Sequence, residues 1–306
     1  MAMPRNPLLE RRGVAIQRNP RSGTGRGRVW LVELVRELKR LGFRPRMFKN
    51  RQRMDAWLAE PAVREDLACI VAAGGDGTVA DVFNRHPGVR LAILPLGTEN
   101  LLARFLGIPA SGTEVARLIV ENRVQVLDLC QLAQRRFVLM ASAGFDADVI
   151  QRLHFSRRGN ISRLSYIQPI LESVRNYEYP EIRLYVDGSE TPATARLAVI
   201  VNVPIYALGM SVARSARGDD GVLDLRLFRQ GSAFQMVRYL CNLALGIHEN
   251  LPDVASLSGR RVRIESDIPV PIQLDGDAAG FTPAEISVLP GALEVLAPPA
   301  TENHER

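Results

Sequence analysis

The chain has 306 residues, 46% apolar and 24% charged, with a formal net charge of +6 and a pI of about 9.6. That is an ordinary globular composition with room for one or two domains and a substantial core. The positive charge is carried mostly by arginine. It suits a phosphate-bearing ligand or an anionic membrane surface, whereas no nucleic-acid signature accompanies it and aromatics are only 6%.

A basic leader gives way to a short strand, Gly13-Val14-Ala15-Ile16, and then to a loop, Asn19-Pro20-Arg21-Ser22-Gly23-Thr24-Gly25. The spacing of Val29, Trp30, Val32, Leu34, Val35, Leu38 and Leu41 predicts a helix over about 27–41, closed by Gly42. A strand over 43–48 and a short helix that includes 55–58 follow. Leu67 to Ala73 is an apolar run of buried-strand type, and it leads into Gly74-Gly75-Asp76-Gly77-Thr78. The next residues, Val79, Val82 and Phe83, have helical spacing. A strand that turns through glycines into a helix presents backbone N–H groups at the helix N-terminus, which favours an anion, most often phosphate. Asp76 is the discordant residue, because a carboxylate repels a phosphate unless a metal ion or a positioned water intervenes. A tight turn capped by Asp76 is the plainer alternative. The fourth strand, 90–94, runs into Pro95-Leu96-Gly97-Thr98-Glu99-Asn100, and helices are expected over about 100–106 and 114–121. Strands alternating with helices indicate a parallel sheet covered on both faces, with ligands beyond the carboxyl ends of its strands. The loops 19–25, 74–78 and 95–100 all leave strand ends and should converge.

After about residue 124 the pattern changes to closely spaced strands: 124–129, 136–140, 182–186, 195–202, 223–228, 261–266, 271–274 and 292–296. Asp187-Gly188, Asp219-Asp220-Gly221 and Asp275-Gly276 are turn signals between them. One amphipathic helix, about 162–176, interrupts, flanked by arginines that could meet a membrane; core packing with a solvated basic face is the plainer reading. The expected architecture is an α/β N-terminal domain with a three-layer parallel sheet, residues 1–127, and a mostly antiparallel β-sandwich, residues 128–289. A segment near 290–300 is expected to return to the first domain. Cys69, Cys130 and Cys241 read as reduced thiols in apolar surroundings, which favours the cytoplasm. No apolar run of membrane-spanning length or signal-peptide core is present, so a soluble protein with at most peripheral contact at the inner membrane face is expected. The four histidines show no metal-ligand spacing.

The blocks NPRSG (19–23), GGDGTVADVFN (74–84), PLGTENLLAR (95–104), GFDA (144–147), DDGVLDL (219–225) and QLDGD (273–277), in this order, resemble the diacylglycerol kinase catalytic family. The soluble bacterial lipid kinases are the nearest match, with sphingosine and ceramide kinases as relatives. The resemblance implies a lipid kinase that uses ATP and Mg2+, with its active site in the cleft between two domains. It places the nucleotide phosphates on Gly74, Gly75, Asp76, Gly77 and Thr78, faced by Asn19, Ser22 and Gly23, with Gly97, Thr98 and Asn100 adding to the same site. Lys49 or Asn50 would lie near the nucleotide. Asp76 and Asp128 would be grouped around magnesium. The family's DGE motif, whose Glu is the base, reads Asp275-Gly276-Asp277 here, so Asp277 is the candidate base, one methylene and about 1 Å shorter. A second, structural magnesium would take Asp220 and the carbonyls of Arg217 and Val222. Two departures stand out. Leu101 occupies a position where many members have Asp, and Ala207-Leu208-Gly209 replaces a glycine triplet. An NAD kinase shares GGDGT, and the departures equally suit a weakly active or regulatory nucleotide- or lipid-binding protein. The expected partner is a lipid at a membrane surface, with a homodimer as an option for assembly.

Overall fold

The computed structural model describes residues 11–19, 25–155, 172, 176–206 and 209–299. Ser22, Gly23, Ala207 and Leu208 lie outside these, as does the helix expected over 162–176 except for its Glu172 and Asn176. The chain forms two compact units, residues 1–127 with 292–306 and residues 128–291.

In the first unit the elements alternate: β1 (Gly13–Arg18), α1 (Gly25–Arg40), β2 (Arg44–Phe48), α2 (Arg51–Leu58), α3 (Pro61–Asp66), β3 (Leu67–Gly74), α4 (Asp76–Arg85), β4 (Leu91–Pro95), α5 (Leu101–Phe105) and α6 (Gly112–Glu121). The strand order is β2-β1-β3-β4 and every pairing is parallel. Parallel strands are covered on both faces, and β3 and β4 accordingly read as near-continuous buried runs. Helix α1 turns Leu31, Leu34 and Leu38 inward. Val29 and Val32, expected on the same face, are instead exposed, because the true apolar stripe is narrower than the string of valines and leucines suggested. Helix α6 opens at Ser111, whose side chain accepts the Glu114 N–H, and packs closely on α1: a Cβ at Gly112 would collide with the Trp30 carbonyl. Arg85, at the end of α4, donates to Asp81 and Gln17 and pairs with Asp55, tying the helix to β1 and α2.

The second unit contains the end of β5 (Val124–Leu132), then β6 (Arg135–Phe137), β7 (Met140–Gly144), α7 (Phe145–Phe155), β8 (Ile182–Val186), β9 (Ala193–Ala195), β10 (Leu197–Val201), β11 (Leu223–Phe228), α8 (Ala233–Ala244), β12 (Val254–Gly259), β13 (Arg261–Glu265), β14 (Pro271–Leu274), β15 (Asp277–Phe281) and the start of β16 (Ala284–Leu296). One antiparallel sheet runs β12-β11-β10-β7-β14-β15. A second layer pairs β8 with β9 and β13, and β13 with residues 284–287 of β16, again antiparallel. Inward residues of both layers, among them Phe137, Ile182, Ile200, Leu225, Ile264, Ile272 and Ile286, form one core. The run 136–140, expected as one strand, is split: β6 ends at Phe137 and β7 begins at Met140, each in a different sheet. Helices α7 and α8 and strand β12 were not anticipated. Strand β16 ends in the first unit, where Val295 pairs in parallel with Leu91 of β4 and Glu294 meets Arg90 at 2.7 Å. No helix among the described residues is long and apolar enough to cross a membrane.

Candidate active site

In the first unit, β3 and β4 end side by side, Gly74 opposite Pro95, so the loops that follow them are neighbours. The Leu96 N–H donates to the Gly74 carbonyl at 2.9 Å. Beyond that point contact depends on the absence of side chains. A Cβ on Gly97 would stand 2.5 Å from the Gly75 Cα, and one on Gly74 would collide with the Thr78 side chain. The loop 97–100 is braced by Asn100, which adopts a left-handed conformation (φ 47°, ψ 51°). Its amide accepts from the Gly97 N–H at 2.8 Å and donates to the Gly97 carbonyl at 2.9 Å. Asn19 follows β1, bonds through its N–H to the Ala73 carbonyl, and lies 3.4 Å from the Thr78 hydroxyl through its side-chain amide. The structure thus brings together Asn19, residues 74–78 and residues 97–100, while Thr98 stands exposed at the loop's edge.

Helix α4 has Gly75 as its N-cap, with no side-chain hydrogen bond from that residue to the first turn. Gly77, in that turn, is exposed, and a Cβ built there meets nothing within 4 Å. The open space lies where a helix N-terminus favours an anion. Asp76 stands beside it. Its carboxylate accepts the N–H groups of Leu101 and Leu102, the latter at 3.3 Å. Burial pushes its carboxyl above the usual range, and the charge of Glu99 pushes in the same direction. Glu99 is paired with Arg104 at 3.7 Å, so Asp76 is the desolvated carboxylate here whose charge a hard cation would offset. The open first turn suits an anion, and Asp76 is the carboxylate at this point that could hold a magnesium ion. Glu99 was not singled out in the sequence, although it lies within the PLGTEN block.

Asn50 has a local structural role. It caps α2, its side-chain oxygen accepting the Arg53 N–H at 2.9 Å. An exposed cap residue explains its amide without a ligand.

In the second unit, Asp275 and Gly276 adopt left-handed conformations (φ 48° and 82°) between β14 and β15, the geometry of a two-residue hairpin turn. The Asp275 carboxylate accepts three successive backbone N–H groups, Val138, Leu139 and Met140, at 2.8–3.0 Å. Gln273 accepts the Gly276 N–H at 2.8 Å and donates to Ser142, whose hydroxyl donates to Asp146; Tyr206 donates to the same carboxylate at 2.6 Å. Asp277 begins β15 opposite Leu274, half-buried, with the Arg135 guanidinium 3.4 Å away. The turn that carries the candidate base is thus held from both sides. Asp275 and Gln273 were read only as part of a turn and a motif, and Ser142 was missed, because only the fold aligns their partners; the GFDA block contained Asp146 but gave no sign of its partners.

Asp128 is 2% exposed, and both of its carboxylate oxygens accept backbone N–H groups, Gly221 at 2.6 Å and Gly291 at 2.7 Å. Its own N–H donates to the Gly218 carbonyl. Its observed partners are therefore the loop 218–221 and Gly291, a hydrogen-bonding role that accounts for a buried carboxylate without a cation. In that loop Asp220 accepts the Val222 N–H at 3.0 Å and Arg217 lies 3.6 Å from Asp219, while Gly218 and Gly221 take positive φ. Turn chemistry explains Arg217, Asp220 and Val222 as they stand. Among the described residues no three His, Cys, Asp or Glu side chains gather as a metal cluster.

Comparison with known proteins follows these units. Residues 14–132 match the diacylglycerol kinase catalytic domain and residues 139–297 match the YegS C-terminal NAD kinase beta sandwich-like domain. A diacylglycerol kinase of Mycobacterium tuberculosis is 30% identical over 250 residues, covering 79% of this chain and 80% of that protein. One of Staphylococcus carnosus is 24% identical over 292 residues, covering 94% and 95%. An uncharacterized protein of Synechocystis is 28% identical over 236 residues, and the chain spans about half of that longer protein (54%). A crystal structure of a diacylglycerol kinase from Bacillus anthracis shares the fold, with a TM-score of 0.71 at 24% identity over 95% of this chain and 98% of that one. The chain belongs to the diacylglycerol kinase family of lipid phosphotransferases.

Proposed function

We propose that the chain is an ATP- and Mg2+-dependent lipid kinase that transfers the γ-phosphate of ATP to a lipid hydroxyl, diacylglycerol-like or sphingoid. The supporting observation is the pair of interlocked glycine loops beside Asp76, with open space above Gly77. Backbone N–H groups at the first turn of α4 and in the loop 97–100 would bind the phosphates, with Asn19 and Thr78 at the side. Asp76 would hold magnesium, which when bound would neutralise charge developing on the transferred phosphoryl group. Asp277 would accept the hydroxyl proton, and its fixed hairpin would limit the freedom of that carboxylate.

The test is transfer from labelled ATP to a panel of diacylglycerol, sphingosine, ceramide, phosphatidylglycerol and NAD. Label in the organic phase supports the reading; label on NAD or on no acceptor removes it. Asp277→Asn should abolish transfer and leave ATP affinity largely intact, and Asp277→Glu should retain turnover. Undiminished turnover in the Asn variant would exclude Asp277 as the base.

A further inference from the structure

Helix α8 is apolar on two faces and covered on one. Met236, Tyr239 and Leu243 face the core. Phe234 and Leu245, just beyond the helix, are 74% and 71% exposed, and Val237, Leu240, Cys241 and Ile247 are exposed with them. At 3.6 residues per turn, the exposed positions from Phe234 to Leu245 span an arc of roughly 140°. Gln235, Arg238 and Asn242 fill the remaining wedge. A helix apolar on both sides is ordinarily buried, and contiguous exposed patches of this kind mark interaction surfaces.

The helix is firmly mounted. Ser232 caps it by accepting the Gln235 N–H at 3.2 Å. Arg238 forms two hydrogen bonds to Asp253, the Tyr239 hydroxyl donates to the same carboxylate at 2.6 Å, and the Tyr239 ring packs 4.8 Å from Phe228. The exposed face is therefore held out by the fold.

Its charge identifies the partner. Residues 229–248 contain no Asp or Glu. Arg229 stands exposed before the helix, and the exposed Arg214 lies against the Gly246 backbone after it. An apolar stripe with cations at both ends, whose neighbouring carboxylate Asp253 is paired with Arg238, is complementary to anionic headgroups above acyl chains. We propose that the outer face of α8 and the turn after it dock the protein on an anionic lipid surface, with Phe234 and Leu245 entering the headgroup–acyl boundary. Its use, bringing a kinase to a bilayer-borne acceptor, rests on the function proposed above; the docking itself does not.

Cys241 supplies a native reporter. It lies on the exposed face, while Cys69 and Cys130 are buried. A water-soluble maleimide should label the native protein at Cys241, and vesicles of phosphatidylcholine with phosphatidylglycerol should suppress that labelling. The double substitution Phe234→Ser with Leu245→Ser removes only exposed side chains. It should weaken vesicle co-sedimentation by about tenfold or more and leave the thermal midpoint and phosphorylation of a short-chain, monomeric diacylglycerol unchanged. Equal co-sedimentation of the two proteins, or labelling indifferent to vesicles, overturns the proposal. So does a dimer that the double variant converts to monomer without loss of vesicle binding, since the face would then be covered by a second copy. Vesicle binding without turnover on any lipid would sink the kinase reading and leave the docking surface standing.

Discussion

The carboxylate of Asp76, at the first turn of α4, accepts the backbone N–H of Leu102 at the first turn of α5. The two helices that follow β3 and β4 are thus joined at their N-termini by a single side chain. Leu101 contributes its backbone N–H to the same carboxylate.

This arrangement has a pH signature. Burial raises the Asp76 carboxyl, so the native state holds that proton more tightly than the unfolded chain does. The group favours folding below its unfolded-state pKa, and that contribution is lost as pH rises through the higher folded value. At neutral pH the ionised carboxylate therefore weakens the fold. Asp76→Asn should raise the thermal midpoint at pH 7, with the difference shrinking in acid, while transfer falls by about 10²-fold or more. MgATP should raise the midpoint of the native protein more than that of the variant. Thermal scans across pH, with and without MgATP, check both statements.

Two glycines of the site should respond oppositely. Gly97→Ala forces a methyl group against the Gly75 backbone and should cost about 2 kcal/mol or more in urea unfolding. Gly77→Ala has room and should leave stability unchanged or slightly raised. The new methyl group would occupy the phosphate cradle, so ATP affinity should fall by about tenfold or more, a change of ~1.4 kcal/mol. Isothermal titration separates the two effects.

Asp128 should behave as a structural residue. Asp128→Ala strands the N–H groups of Gly221 and Gly291 and should cost about 2 to 3 kcal/mol. Asp128→Asn keeps an acceptor and should cost less. If the Asn variant unfolds at the native midpoint yet loses all transfer, the carboxylate has a chemical role instead.

The acid limb of stability should report Asp253. The Arg238 guanidinium, helped by the Tyr239 hydroxyl, holds its carboxyl down at about 2 against a usual 3.8. A depressed folded value contributes stability above the unfolded pKa, and the contribution disappears as pH falls from about 4 to 2. Asp253→Asn should flatten unfolding free energy across that window and leave the slope above pH 5 unchanged.

The alternation of the first unit could be read directly, because buried parallel strands are continuous apolar runs and glycine turns punctuate them. Strand β3 and the helix after GGDGT lie where periodicity put them. Helix α8 was hidden by the property that makes it unusual: apolar residues at 234, 236, 237, 239, 240, 243 and 245 follow neither a one-faced stripe nor a strand alternation. Ser232 before it and Gly246 after it, with φ +68°, were the available start and stop signals. The convergence of the loops that carry Gly75 and Gly97 followed from their strand ends, but the grip of Asp275 on residues 138–140 joins segments far apart in sequence, and local pattern carries no trace of it. Asp128 likewise has partners that sequence alone did not name. Each of its oxygens accepts a glycine N–H, from Gly221 and from Gly291, residues far along the chain.

Strand β16 carries one more consequence. Residues 284–287 pair within the second unit, but Glu294 and Val295 meet Arg90 and Leu91, and the Pro298 carbonyl accepts from Gln125 at 2.5 Å. Residues 11–127 leave the ribosome well before residues 292–296, which complete their sheet. Until then the edge of β4 is an open template for any passing strand. A nascent chain should therefore acquire protease resistance in residues 11–127 only after residue 296 emerges, and truncation before Ala292 should unfold or aggregate this first unit.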